Sequence, residues 1–558
     1  MTHAPLRLCE IAGLPQLAWI ANAAPGGEDV IVYHGSAVEG SRDWLVEGVW
    51  DDEFGAGAFH TSAHFFGSGI RVDERAGRVR FVPSSALVNR LVYCRYRERI
   101  VVSNSLALLL GFTGATLNPA HQYRAETYAL RHGVGRYPRS FTVTHPEIRS
   151  FYQVYDESLV LGSGGSGGSG GAELVFESLR RAPHITSFEH YQALLGETLR
   201  RLRANYASPE RRLPMAAFAT ISSGYDSAAS AALVAPLGIA TCFTVRRSNS
   251  HIPSWLSRRA AIDDGKPIAD RLGLRTVYLD RRASVDGDEL YFLAPGCAPT
   301  MTVLHPLVKE LQQLGGPAVL FTGFQGDEMW DVNRWERAYQ EAGLVRGDTT
   351  ALMLSEIRLK AGFVNVAVPS LFARAVRDIS AISMSDDMAP WRGDSAYERP
   401  IPRRILESAG VPRALFGGRK KAIVERRTYP ANRALRRDFF AYLRAQGRCS
   451  GGFVYLHGAV NRCLFPFVRA WDLLRKRLFG IEPPTIPAAY VWKRFDFASM
   501  MFAWAAGALS ARFTAVLKAG GALQQPPPAR RQPDTGRSAG RAVPWATPTV
   551  ADIRVSLP

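Results

Sequence analysis

Cysteine is scarce: six in 558 residues, with no CxxC pair and no Cys/His cluster at zinc spacing. That excludes a disulfide-stapled scaffold and a zinc module. Cys9, Cys94, Cys242, Cys297, Cys449 and Cys463 read mostly as small core residues in a reducing, cytoplasmic compartment. Long apolar runs are missing too. The longest uncharged stretch near the C-terminus, 497–511, has 15 residues where a membrane span needs about 20, so it reads as a buried or amphipathic helix. No basic segment followed by an apolar run opens the chain, so no secretory signal is expected. Acidic residues are outnumbered, 50 against 68 Lys+Arg. The resulting +18 favours an anionic partner such as a nucleotide, nucleic acid or anionic lipid, without choosing among them.

What is present suits a globular protein: 47% hydrophobic and 21% charged residues can bury real cores, and the length suits two large domains. A run of only Gly and Ser at 162–171 separates 1–161 from 172–523. It reads as a flexible coil, native or an engineered replacement for a loop. Beyond 523 the basic, Pro-rich 524–558 has few core-formers and is expected to be disordered. Short β-leaning runs mark the first segment at 29–34, 79–82, 91–96 and 99–103. After the linker, strands at 214–221, 240–246, 275–279 and 318–322 alternate with helices at 226–236, 266–272 and 306–314. Such alternation predicts a parallel sheet with helical crossovers, and the chain from about 350 reads as mainly helical. Residues 399–448 hold twelve arginines and two lysines against three acids, either a solvated helical face or a wall around a polyphosphate.

The apolar run 214–221 ends in Ser222-Ser223-Gly224-Tyr225-Asp226-Ser227 and leads into a helix. Small residues let backbone N–H groups reach phosphate oxygens, and the helix N-terminus adds partial positive charge. Asp226 then stands where a carboxylate could hold Mg²⁺. The same letters also suit an ordinary strand-to-helix turn with Ser or Asp as N-cap. The string resembles the SGGxDS pyrophosphatase loop of the asparagine synthetase family, with Ser223 at the first glycine. In family order, 318–330 (AVLFTGFQGDEMW) resembles the strand followed by SGEGADE, Phe243-Thr244-Val245 the strand beside adenine, and 263–273 the helix after it. Arg419-Lys420-Lys421-Ala422 resembles the RxK segment. The resemblance implies an α/β chain: an Ntn-like αββα sandwich, then a pyrophosphatase-loop (adenine nucleotide α-hydrolase-like) parallel-sheet domain with a helical C-terminal part. It implies ATP and Mg²⁺ as cofactors. ATP contacts would come from Ile221, Ser222, Ser223, Gly224, Asp226, Ser227, Val245, Thr322, Gly323 and Lys421. Asp226 and Asp327 would take the metal. Lys421, or Lys420 if the register slips by one, would neutralise charge on the α-phosphate and leaving pyrophosphate, with Asp327 and Glu328 beside it in the catalytic set.

Three departures carry information. Residues 77–105 resemble part of the family's glutaminase domain, but position 2 is Thr2 and the nearest cysteine is Cys9, so the N-terminal thiolate that attacks glutamine is missing. Phe324 stands at the Glu of SGEGADE, and Asn365 and Ala367 replace the Glu and Arg of GxExRxPFLD. The pattern implies preserved adenylation with a different substrate: an ATP-dependent, AMP-forming carbon–nitrogen ligase of the β-lactam synthetase and lasso-peptide cyclase kind. Its amine would not come from glutamine, and its carboxylate would belong to a small molecule or a peptide, with a precursor peptide or pathway protein as partner. Glu328, Glu356 and Tyr225 are candidate bases. Other readings stay open: a glutamine-hydrolysing asparagine synthetase, a tRNA-modifying pyrophosphatase-loop enzyme, and a non-catalytic family member. Nucleic acid is the less expected partner, and no membrane span is expected.

Overall fold

The structure, a computed structural model, describes residues 6–523 except 26, 28, 74–75, 86, 136, 163–172, 179–182, 249–261, 281–282, 299–300, 332–351, 394–398, 419–426 and 480–495. Thr2, Lys420, Lys421 and the tail 524–558 thus lie outside the described residues. The chain is mixed α/β, with three sheets among the described residues. In the first unit, a seven-stranded sheet runs Arg7–Glu10, Val30–His34, Trp19–Ala23, Arg99–Ser103, Leu91–Tyr96, Ser150–Val154 and Ser140–Thr142 in spatial order. A six-stranded sheet runs Glu173–Glu177, Ser158–Gly162, Arg78–Val82, Phe65–Asp73, Trp44–Trp50 and Glu39–Gly40. The two sheets face one another across a shared core. Trp19, Val32, Leu91 and Val102 from one pack against Leu45, Ile70, Phe81 and Leu161 from the other. Alternation along the strands sends the next residues, such as Ile20, Ile31 and Val101, to the opposite face and a second core. Gly162 and Glu173 are register partners, so the six-stranded sheet continues on both sides of the Gly/Ser run.

The third sheet is wholly parallel. Its strands lie in the order Arg275–Tyr278, Thr241–Thr244, Ala216–Thr220, Ala318–Thr322, Phe363–Ala367. Ala318–Thr322 and Phe363–Ala367 are buried throughout, as expected for strands covered on both faces. Phe363–Ala367 falls in the stretch the sequence pattern assigns mainly to helix: a five-residue apolar run has no periodicity that separates strand from buried helix. Strand order reverses between Ala216–Thr220 and Ala318–Thr322, and both strands send their carboxyl ends to the same edge. That crevice is where open α/β sheets bind ligands.

Among the contacts that join the parallel-sheet unit to the first, a buried ion pair and a helix pair stand out. Arg358 forks onto Glu47 with bonds of 2.7 and 2.8 Å, both side chains being essentially inaccessible. The apolar helix Phe497–Ala519 is long enough to cross a bilayer by length and composition, but it lies on the first unit's helix Leu106–Thr113. Gly111 makes the close approach: a Cβ there would stand 2.9 Å from the Ser510 carbonyl oxygen, and the Thr514 hydroxyl donates to the Gly111 carbonyl at 3.0 Å.

Two stability measurements follow. Gly111→Val should cost about 1–3 kcal/mol by overpacking this helix pair. Gly507→Ala, on the same helix with open space around it, should be neutral or stabilise by up to about 1 kcal/mol. Equal thermal shifts for the two would show that the backbone approach is not limiting. Separately, burial, reinforced by Arg71 and Arg80, pushes the His60 imidazole down to about 4. The unfolded chain takes up that proton near the ordinary histidine value and the folded chain does not, so stability is lost as pH falls from about 6.5 towards 4. In His60→Gln that slope should flatten in urea titrations run across the window.

Candidate functional site

The site grows from the strand order. Ala216–Thr220 ends in the loop Ile221–Gly224 and the helix Tyr225–Val234, while Ala318–Thr322 ends in Gly323–Gln325 and the short helix Gly326–Met329. Gly224 is the N-cap of the first helix, and no side chain caps it. The alternative of an ordinary turn with a Ser or Asp N-cap is therefore not what forms. Instead the hydroxyls serve the loop itself. Ser222 Oγ accepts from the Gly224 N–H at 3.1 Å and lies 2.8 Å from Ser227 Oγ, and Ser223 Oγ donates to Asp263 at 3.1 Å. Ile221 N–H is tied to the Phe243 carbonyl, and Val245 follows the next strand, half-buried.

Glycines bring the two loops together. A Cβ on Gly323 would stand 2.4 Å from the Ser227 nitrogen, and one on Gly326 would stand 2.4 Å from the Asp226 carboxyl carbon. Asp226 therefore lies against the backbone beside Asp327. Gln325, at φ 67, takes the left-handed backbone that lets this turn close, a conformation that costs a residue with a Cβ roughly 1–2 kcal/mol. Thr322 donates to Asn365 at 2.8 Å, so the neutral replacement noted in the sequence is bonded to the second loop's strand. Phe324 is half-buried against the core. Glu328 is buried in the short helix.

The basic stretch divides. Arg399, fully buried, is ion-paired with Asp226 and stands 3.7 Å from Asp331. Arg403 donates to the Tyr225 hydroxyl at 2.8 Å. The Gly417 N–H donates to the Ser223 carbonyl at 3.0 Å, and a Cβ on Gly417 would collide with the Tyr225 ring. The segment leading to Lys421 is thus anchored on the first loop four residues earlier. Arg436, by contrast, reaches the Ala431 carbonyl and the Tyr429 ring among the described residues.

Glu356 is not part of this assembly. It is buried at the start of helix Leu106–Thr113, accepting from the Ser105 hydroxyl at 2.7 Å. Burial pushes its carboxyl up, opposed by Ser105 and backbone N–H groups. Its carboxylate links the two units through Ser105 and the Ala107 N–H, and among the described residues it bonds to neither loop. Tyr225 is buried under Phe416 and held by Arg403, again a structural setting.

Sequence reasoning missed Asp263, Arg399, Arg403 and Gly417 as parts of the site. Gly417-Gly418 directly before a basic run was a readable signal. Arg399 is one arginine among twelve in its stretch, and nothing local distinguishes it. Among the described residues no three His, Cys, Asp or Glu side chains converge on a metal position. One carboxylate belongs to each loop: Asp226, which is paired with Arg399, and Asp327, which follows the Gly326 backbone against which Asp226 lies. Two carboxylates are the donor type Mg²⁺ takes alongside phosphate oxygens and water. A scan of protein-family models and a search of curated proteins find no match to this chain.

The close approach makes a prediction. Gly323→Ala, whose Cβ meets backbone, should lower the melting temperature by several degrees, the effect of about 2 kcal/mol or more. Gly224→Ala, whose Cβ meets only Ser222 Oγ at 3.3 Å with φ −80, should shift it little. Differential scanning calorimetry of the two, side by side, checks the geometry.

Proposed function

We propose that the chain is an ATP-dependent, AMP-forming ligase that joins a carboxylate to an amine supplied by a source other than glutamine, in a lactam or macrolactam type of product. The observation that carries this reading is the meeting of the Ser222–Ser227 and Gly323–Glu328 loops at the point where strand order reverses, with Asp226 against Gly326 and Asp327 next in sequence. The uncapped helix start at Gly224 suits phosphate oxygens, and the anchoring of Gly417 suits a lysine four residues on. On this reading the parallel sheet is a pyrophosphatase-loop domain, and the two facing sheets are an Ntn-like sandwich without a glutaminase nucleophile.

In the reaction, a carboxylate oxygen of the substrate attacks the α-phosphorus of ATP, the bond to the β,γ-pyrophosphate breaks, and an acyl-adenylate forms. The amine nitrogen then attacks the acyl carbon, a C–N bond forms, AMP leaves, and the amine releases a proton. Asp226 and Asp327 are the residues that would hold Mg²⁺, whose chemistry is to neutralise charge on the phosphates. Loop N–H groups orient the phosphates, Ser222 and Ser227 hold the loop's shape, and Asp263 holds Ser223. Lys421 meets the charge that develops as pyrophosphate leaves. Phe324 stands where the resemblance would have a Glu, and Asn365 and Ala367 where it would have a Glu/Arg pair, which suits a substrate other than the family's aspartate.

One observation favours a second reading. Arg399 already holds Asp226, so the site could bind nucleotide without turnover. ATP–pyrophosphate exchange over a panel of small carboxylates and peptides decides between them. Exchange that depends on one carboxylate supports the ligase, whereas nucleotide binding without exchange on any of them supports the second reading. Lys421→Ala should cut exchange by about 10²-fold or more, the scale of one lost preorganised donor. Arg436→Ala should leave turnover nearly unchanged. Asp327→Asn is a better test of the metal carboxylates than a change at Asp226, because removing Asp226 takes the nearer carboxylate from the buried Arg399 guanidinium, a structural cost of up to about 3–5 kcal/mol.

A further inference from the structure

Helix Gly451–Phe479 meets the body through its first turns: Val454 is buried, and the His457 ring meets Phe497 at 4.8 Å. Beyond Gly458 it carries a row of large apolar side chains in solvent. Leu464, Phe467, Trp471, Leu474 and Leu478 follow one another at steps of three and four residues, with Phe467 73%, Trp471 59% and Leu478 62% exposed. That spacing puts them on one face, a stripe about 20 Å long. A soluble surface rarely shows so continuous an apolar line.

Charge decides what covers it. In sequence the helix carries Arg462, Arg469, Arg475, Lys476 and Arg477 against the single acid Asp472, within a chain of net +18. A second copy packed on the same stripe would form a heptad seam with Leu464, Trp471 and Leu478 at one core position and Phe467 and Leu474 at the other. Arg475 and Arg477 then occupy the flanking positions where such seams place complementary charges, and no acid is available to meet them. An anionic lipid surface has the opposite needs. Phe, Trp and Leu enter the acyl boundary, and Arg and Lys meet the headgroups, the composition of a helix that lies in a membrane interface without spanning it.

We propose that the distal part of helix Gly451–Phe479 is a membrane-surface anchor, seating its apolar stripe in an anionic phospholipid interface. The inference is independent of the ligase reading. The full-length protein should co-sediment with vesicles of phosphatidylcholine plus phosphatidylserine, and about tenfold or more weakly with phosphatidylcholine alone. Added salt should weaken the anionic-vesicle binding. Phe467→Ser/Trp471→Ser should abolish it with circular dichroism unchanged. If that variant does not fold, Leu474→Ser/Leu478→Ser makes the same test. No preference for anionic vesicles, or undiminished binding by a folded stripe variant, would overturn the proposal. So would a lipid-free, concentration-dependent dimer in sedimentation velocity that the stripe variant abolishes, since that would assign the face to a second copy.

Discussion

The candidate site depends on one steric constraint: two backbone segments at the head of the parallel sheet approach so closely that neither Gly323 nor Gly326 has room for a side chain. Parallel pairing of Ala216–Thr220 with Ala318–Thr322 sets the strand ends side by side, and the glycines close the remaining gap. Once closed, the Gly323 backbone lies against the start of helix Tyr225–Val234 and the Gly326 backbone against the Asp226 side chain. The left-handed Gln325 is a local cost of that closure, borne by the packing around it.

Buried charge is the second organising feature. Glu47 and Arg358 link the two units with paired bonds, and the same Glu47 oxygen also accepts from Ser68 and Asn104. Arg211 is held by Glu39 at 2.6 Å within the contact between the six-stranded sheet and the segment leading to the parallel sheet, and burial brings its guanidinium down to about 10. Pairs like these add little net stability over an apolar contact of equal shape, but removing one partner is costly. They therefore act against alternative dockings of the two units. Arg399 with Asp226 follows the same rule inside the candidate site.

The apolar C-terminal helix and the striped helix before it show why hydrophobicity alone does not assign a role. Phe497–Ala519 is apolar around much of its circumference, and it is covered because Gly111 admits it against Leu106–Thr113. Gly451–Phe479 is amphipathic and basic in sequence, and beyond its first turns its stripe faces solvent. Both carry several Phe and Leu and one Trp. Neighbours, not composition, separate a core helix from a surface-seeking one.

By itself the sequence determined the strand–helix alternation, the positions of Ala318–Thr322, Leu91–Tyr96 and Arg99–Ser103 to the residue, and the two loops as candidates. Each is a local property, carried by apolar periodicity and by small residues at strand ends. Tertiary structure alone decided that the two loops meet, because strand order is set by pairing over a hundred residues of chain. It also made Phe363–Ala367 a fifth parallel strand and drew Arg399 and Arg403 out of a basic run into the site. Glu356 went the other way, buried at a distant helix start. An arginine's partner is fixed by which elements fold against it, and no window of sequence around Arg399 contains Asp226.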